Sequence, residues 1–226
     1  MSNLESGDAI TKQRQKFQRQ VRAATKKLVA GSHVLAEWIE QCGPCKLEVA
    51  WERSLYESLV RAIAHQQLHG KAAETILGRL ISSFRGDGFP TARQLARAET
   101  EKLRSCGFSA AKVQAIQGIA AAELRGSIPN RDTAQQLSDA ELIEKLTELR
   151  GVGRWTVEML LIFTLGRLDV MPVDDFGVKH GLQVLLNLPD MPTRQEMTQQ
   201  SAVWAGQRTV AAWYLWRRAD VAKVAK

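Results

Sequence analysis

The stretch that decides the fold of this chain is Leu149-Arg150-Gly151-Val152-Gly153-Arg154-Trp155-Thr156. It lies between an amphipathic segment that begins near Glu141 and a strongly apolar segment over residues 157–163. Two glycines one residue apart, between two helical patterns, indicate a very tight turn. The sequence therefore predicts a helix-hairpin-helix at about residues 141–165, preceded by a capping box at Ser138-Asp139-Ala140-Glu141.

Helical periodicity continues on both sides of this hairpin, and alternating strand-like runs are almost absent. The predicted fold class is therefore all-α, and 226 residues that are 45% hydrophobic suffice for a real core. We expect two helical lobes with an active-site cleft between them. A discontinuous lobe would comprise residues 23–69 and 176–226, and a central lobe residues 70–175.

The positive charge of the chain is concentrated at its N-terminus. Residues 1–27 hold seven Lys and Arg against Glu5 and Asp8, within a formal net charge of +7 for the whole chain. Such a balance suits a nucleic acid partner, although a basic end can also be only a solvated tail. Residues 1–22 are predicted to be a basic, mobile arm.

The three cysteines are Cys42, Cys45 and Cys106, in a chain with no apolar signal segment and no run of 18 apolar residues. These features argue against a disulfide framework and a membrane span, and they favour a reducing, cytoplasmic location, nucleoid-associated if the chain is bacterial. Cys42 and Cys45 have the spacing of redox and metal motifs, but no second pair or nearby histidine accompanies them. We interpret both as ordinary thiols at a helix end.

The hairpin glycines would expose backbone N–H groups at the start of a helix, where the helix dipole attracts a phosphate. Arg150 and Arg154 would add cations to the same surface, although a plain helical corner is the alternative. Asp174 and Asp175 lie twenty residues after Arg154 and Trp155. We expect one of them, Asp174, to cap the next helix. The other carboxylate would then be available for catalysis.

Four motifs in order resemble the helix-hairpin-helix superfamily of DNA glycosylases, and within it the alkylbase group, the DNA-3-methyladenine glycosylases of the second type. They cover about residues 50–218. The motifs are the run from Leu59 to Ala73, Gly107-Phe108-Ser109, the hairpin followed by Pro172-Val173-Asp174-Asp175, and the run from Trp204 to Trp216. With only about 50 residues before the first match, the chain resembles the compact form without an N-terminal sheet domain.

The resemblance implies that Asp175 is the catalytic aspartate, which stabilises the cationic sugar while the base departs. Relatives that also cut the strand place a lysine where this chain has Trp155. The resemblance therefore implies a monofunctional enzyme without lyase activity. Three cysteines are too few for the four-cysteine iron–sulfur cluster of another branch.

The resemblance also assigns binding residues. Trp155, Phe176, Trp216 and Met159 match positions that line the base pocket. Gln67 matches the residue that plugs the gap left by the flipped nucleotide, and His69 a residue that reaches the minor groove. The hairpin residues Gly151, Val152, Gly153 and Arg154 would bind the DNA backbone.

No cofactor is required by this resemblance, but a structural Na⁺ or K⁺ would bind the backbone carbonyls of Thr147, Leu149 and Val152 at the hairpin. The expected function is excision of alkylated bases, of the 3-methyladenine and 7-methylguanine type, from duplex DNA by a monomer that leaves an abasic site. Two alternatives remain. One is a non-catalytic helix-hairpin-helix DNA-binding module, and the other is a glycosylase of the same fold for oxidised or mismatched bases.

Overall fold

The computed structural model describes residues 2–68, 70–86 and 88–224, and no β-strand occurs among them. The all-α prediction is therefore confirmed. None of the described helices is both long and apolar enough to cross a membrane. The helices are α1 (Ser2–Gly31), α2 (His33–Cys42), α3 (Leu55–His65), α4 (Gly70–Ser82), α5 (Ala92–Ala96), α6 (Thr100–Ser105), α7 (Ala110–Leu124), α8 (Arg131–Gln136), α9 (Asp139–Thr147), α10 (Arg154–Phe163), α11 (Phe176–Leu186), α12 (Arg194–Gln200), a 3₁₀ turn (Ser201–Trp204) and α13 (Arg208–Val224).

The chain divides into two compact units. A terminal unit comprises residues 1–51 and 166–226, and a central unit comprises residues 52–165. The boundaries differ from the expected residues 69 and 175. Helix α3 belongs to the central unit because it packs against α4, α7 and α10 and buries Leu59, Val60 and Ile63 completely. The cleft expected between the lobes stays a prediction.

Helix α1 corrects the prediction of a mobile arm at residues 1–22. Phe17, Val21, Ala24 and Leu28 are at most 3% exposed. Their spacing of four, three and four residues places them on one face of a helix, and this face packs on α2 and α13. The seven Lys and Arg residues of this helix are all exposed. The many charged residues had suggested a mobile arm, but the four buried apolar residues hold the helix to the core.

In the terminal unit, α11 packs closely on α13, because Gly181 leaves no side chain between its own backbone and the carbonyl oxygen of Leu215. Trp38 donates its indole N–H to the Tyr214 carbonyl at 2.9 Å, and the Tyr214 hydroxyl donates to the Gly43 carbonyl at 3.1 Å. Burial raises the pKa of Tyr214 to about 12. Trp38 is 7% exposed and is a core residue.

The thiols of Cys42, Cys45 and Cys106 are free. Cys42 ends α2, and Gly43 follows as its cap with φ of 80°. Burial raises the pKa of Cys45 to about 12 and also raises the pKa of Cys42. Both thiols are therefore held in the protonated, unreactive form at neutral pH, which agrees with the interpretation of two ordinary thiols at a helix end.

The central unit is organised around α3, α7 and α10. Ser109 caps α7 by accepting a hydrogen bond from the Lys112 N–H, and Ser138 and Glu141 form the predicted capping box at the start of α9. These caps satisfy N–H groups that have no partner within the helix. They fix the starts of the two helices on which the candidate site depends.

Candidate DNA-binding and catalytic site

The predicted hairpin is residues 148–153, between the end of α9 at Thr147 and the start of α10 at Arg154. Gly151 has φ of +83°, a conformation that side chains rarely adopt. A Cβ on Gly151 would also lie 2.6 Å from the Cβ of Ala115 on α7. The hairpin therefore rests directly on α7, and only glycine fits at this point.

Gly153 caps α10 in an extended conformation and is exposed. The first N–H groups of a helix have no partner within it, so the sequence-based prediction that they bind a phosphate stays a prediction. Val152 is different. Its side chain is 4% exposed, and its N–H donates to the Leu149 carbonyl at 2.9 Å within the turn. The Val152 N–H is therefore not available to a phosphate, which corrects its assignment as a DNA contact.

Arg154 is exposed on the same surface. Its Nε donates to Oε1 of Glu158 at 3.0 Å, and Glu158 is 4% exposed. A buried carboxylate one turn along α10 thus fixes the direction of the arginine. Arg150, on the other side of the turn, is exposed as well. Two exposed arginines thus flank the start of α10, an arrangement that suits a phosphate.

The carbonyls predicted to bind a monovalent cation fit that role by position. Thr147 is the last residue of α9, and the carbonyls of a last helical turn have no partner within the helix. The Leu149 carbonyl accepts one hydrogen bond, from Val152, and a carbonyl oxygen has two lone pairs. The cation itself stays a prediction.

The residues from Gln66 to Leu68 lie in the loop between α3 and α4. Gln67 is exposed at its tip, and its φ is +56°. Gln66 points the other way. Its amide nitrogen donates to the Gly151 carbonyl and to Oγ1 of Thr156, each at 3.0 Å. His69, the predicted minor-groove residue, lies outside the described residues.

A cavity of about 400 Å³ lies within the central unit and includes Trp155 and Met159 in its wall, as predicted for a base pocket. Sequence reasoning missed Phe163, one turn beyond Met159 on α10, which also lines the cavity and is 37% exposed. A spacing of four residues from Trp155 to Met159 to Phe163 was the available signal. The other lining residues are Arg53, Ser58, Arg61, Ala62, His65, Leu68, Glu74, Leu160 and Thr164.

Asp175 is in the terminal unit, at the start of α11. Its Oδ1 accepts the backbone N–H of Val178 and the indole N–H of Trp216, both at 2.8 Å. Asp175 is therefore itself the helix cap, and the expectation that Asp174 fills this role is wrong. Asp174 instead accepts a hydrogen bond from Arg194 at 2.7 Å. One carboxylate thus serves as the cap and as the candidate catalytic group.

Gly177 is what lets Trp216 approach Asp175. A Cβ on Gly177 would lie 2.8 Å from Cδ1 of Trp216 and 3.2 Å from Oδ1 of Asp175. Phe176, predicted to line the base pocket, is 66% exposed and stacks on His180 with ring centroids 5.9 Å apart. Nothing in the spacing of the sequence pointed to Gly177, because its role depends on a residue 39 positions away.

Comparison with known proteins identifies the family of this chain. Residues 60–207 match the HhH-GPD superfamily of base excision DNA repair proteins. DNA-3-methyladenine glycosylase 1 of Schizosaccharomyces pombe is 47% identical over 171 residues, which is 76% of this chain and 75% of that protein. The alkylbase DNA glycosidase-like protein mag2 of the same organism is 36% identical over 197 residues, 87% of this chain and 92% of that protein.

The solved structure of the S. pombe 3-methyladenine DNA glycosylase in complex with abasic DNA has a TM-score of 0.83 and 41% sequence identity to this chain. The match covers 86% of this chain and 95% of the chain in that structure. The family and the all-helical fold implied by the four sequence motifs are therefore confirmed. The chain belongs to the HhH-GPD superfamily of base excision DNA repair proteins.

Proposed function

We propose that this protein is a monofunctional DNA glycosylase that releases alkylated bases, of the 3-methyladenine and 7-methylguanine type, from duplex DNA and leaves an abasic site. The observation that carries the proposal is the carboxylate of Asp175. Its Oδ1 is held by two N–H donors, from Val178 and Trp216. Two directed hydrogen bonds fix the orientation of a negative charge before the substrate arrives.

The reaction requires only one such carboxylate. When the bond between C1′ and the base nitrogen breaks, its electron pair leaves with the base, which loses the positive charge that alkylation gave it. The sugar becomes a cation like that of glycoside hydrolysis, and a nearby carboxylate stabilises it. Water then adds its oxygen to C1′ and releases a proton.

The aromatic wall of the cavity in the central unit is suited to the base. The π faces of Trp155 and Phe163 attract a cationic ring more strongly than a neutral one. The polarisable thioether of Met159 adapts to rings of different shape. Trp155 has no amine, so it cannot form the Schiff base through which bifunctional relatives cut the strand. The lesion range is therefore proposed to be cationic alkylpurines.

The hairpin is proposed to hold the phosphate backbone. Arg150, Arg154 and the first N–H groups of α10 would bind it, with a monovalent cation on the carbonyls of Thr147, Leu149 and Val152. That cation would supply positive charge between the hairpin and a phosphate. We propose that the protein acts as a monomer.

Base release from duplexes that each carry one defined lesion tests the proposal, with Asp175→Asn as the variant. The wild-type protein should release 3-methyladenine. Asp175→Asn should be slower by about 10²–10³-fold, the usual effect of removing one preorganised electrostatic group. Its affinity for abasic duplex should change little, since the amide keeps the shape of the carboxylate.

The matched control is Asp174→Asn, at the adjacent carboxylate that pairs with Arg194, and it should keep normal turnover. Release by Asp175→Asn at the wild-type rate would overturn the assignment. Binding without release of any base by the wild-type protein would favour a non-catalytic DNA-binding module. Release of oxidised or mismatched bases alone would favour the other alternative.

A further inference from the structure

Gln67 occupies a backbone conformation that its side chain disfavours. Residues 65–68 form a tight turn in which the Leu68 N–H donates to the His65 carbonyl at 3.3 Å. Gln66 has φ of −55° and ψ of 127°, and Gln67 has φ of +56°. This is the pattern of a type II turn, whose third position normally requires glycine. A non-glycine residue persists there only when its surroundings hold it.

Lys112 is the first of these surroundings. It lies in the first turn of α7, and its ammonium donates to the Ala64 carbonyl at 2.9 Å and to the Gln66 carbonyl at 2.7 Å. Those carbonyls flank the end of α3 and the start of the turn. Partial burial lowers the pKa of Lys112, so the ammonium is taken out of water to make these contacts. It clamps the backbone just before Gln67.

The Gln66 side chain is the second group that holds this turn in place. Its amide nitrogen joins the Gly151 carbonyl of the hairpin to Oγ1 of Thr156, a residue that is 1% exposed. The same helix that carries Lys112 also supports Gly151 through Ala115, three residues further along. The loop that carries Gln67 and the hairpin that carries Arg154 are thus fastened to each other and to one helix, all within the central unit.

We infer that Lys112 and Gln66 are positioning residues that hold Gln67 ready to enter the gap left by a flipped nucleotide, and that link this plug to the hairpin grip on DNA. The inference rests on the proposed function and on the role of Gln67 that the family resemblance implies. Neither residue needs to contact DNA. A plug that is already ordered loses less conformational entropy on binding than a free loop.

The test uses the full-length protein and two fluorescent duplexes of equal length, one intact and one with a tetrahydrofuran abasic analogue. The ratio of the two dissociation constants measures how well the plug fills the gap. Lys112→Met, which keeps the aliphatic stem, should lower the preference for the abasic duplex about tenfold, as should Gln66→Met. Affinity for intact DNA should change less than twofold.

Two variants separate a positioning role from loss of a charge. Lys112→Arg should retain most of the preference, since it keeps a cationic donor. Arg125→Met removes an equally positive, exposed side chain from the other end of α7, about 20 Å away. It should leave both affinities unchanged.

A double-mutant cycle with Gln67→Ala decides the question. If Lys112 acts through the plug, the variant with both substitutions should be no worse than Gln67→Ala alone. Losses that multiply, or a Lys112→Met effect of equal size on both duplexes, would overturn the inference. These measurements require no catalysis, so absence of base release would contradict the proposed chemistry without deciding the role of Lys112.

Discussion

The indole nitrogen of Trp216 and Oδ1 of Asp175 lie 2.8 Å apart, although 41 residues separate them in the chain. Trp216 is on α13 and Asp175 caps α11, so this hydrogen bond joins two closely packed helices of the terminal unit. The donor is aimed at the oxygen that also caps the helix. The family resemblance assigned Trp216 to the base pocket, and the structure shows that it donates a hydrogen bond to the candidate catalytic carboxylate.

Trp216→Phe should lower the rate of base release at saturating DNA by about tenfold or more, since a hydrogen bond to a charged group contributes about 1.5–3 kcal/mol. The ring is retained, so packing against α11 should survive. Single-turnover kinetics on a 3-methyladenine duplex measure the effect. Trp213→Phe, on the same helix, is the control and should keep the wild-type rate; equal losses in the two variants would argue against a specific role for the indole N–H.

Gly177→Ala should also slow base release, because the added Cβ would lie 2.8 Å from Trp216 and 3.2 Å from Asp175. The ring must shift and the hydrogen bond must lengthen. Gly78→Ala in α4 is the matched control, since nothing lies within 4 Å of a Cβ there. Because Gly78 is exposed, alanine at this position should stabilise the helix by up to about 1 kcal/mol without changing the rate. A fully active Gly177→Ala protein would show that this close approach is dispensable.

Phe17→Ala should destabilise the whole protein, by about 3–5 kcal/mol, because Phe17 is 2% exposed in the face that α1 buries. Urea or thermal unfolding measures the change in free energy. Arg19→Ala, at an exposed position on the same helix, should change stability by less than about 0.5 kcal/mol. Indistinguishable stabilities for these two variants would restore the interpretation of the N-terminus as a mobile arm.

Cys45 should resist thiol reagents in the native protein. With a pKa of about 12, only about one thiol in 10⁴ is ionised at pH 8, and the thiolate is the reactive form. As the pH rises toward 12, the labelling rate should increase about tenfold per unit. Mass spectrometry after timed labelling of a Cys42→Ser variant isolates Cys45 from its neighbour. Rapid, complete modification of the folded protein at pH 8 would contradict the buried placement.

The sequence by itself determined the local features. The two glycines predicted the hairpin, and Ser138 and Glu141 predicted a capping box. Each of these depends on residues within a few positions of one another, where backbone sterics and local hydrogen bonds decide the conformation. The order of the four motifs was then enough to predict the family.

Only the tertiary structure decided which residues support these features. That Asp175 rather than Asp174 caps α11 depends on Trp216 and Arg194, and the burial of α1 depends on helices from both ends of the chain. Lys112 reaches back 46 residues to the loop before Gln67, and Gly151 must be glycine because Ala115 lies beneath it. Packing between distant segments chooses such partners, and no local pattern identifies them, because polar side chains such as those of Lys112, Asp174 and Arg194 would be equally stable facing water.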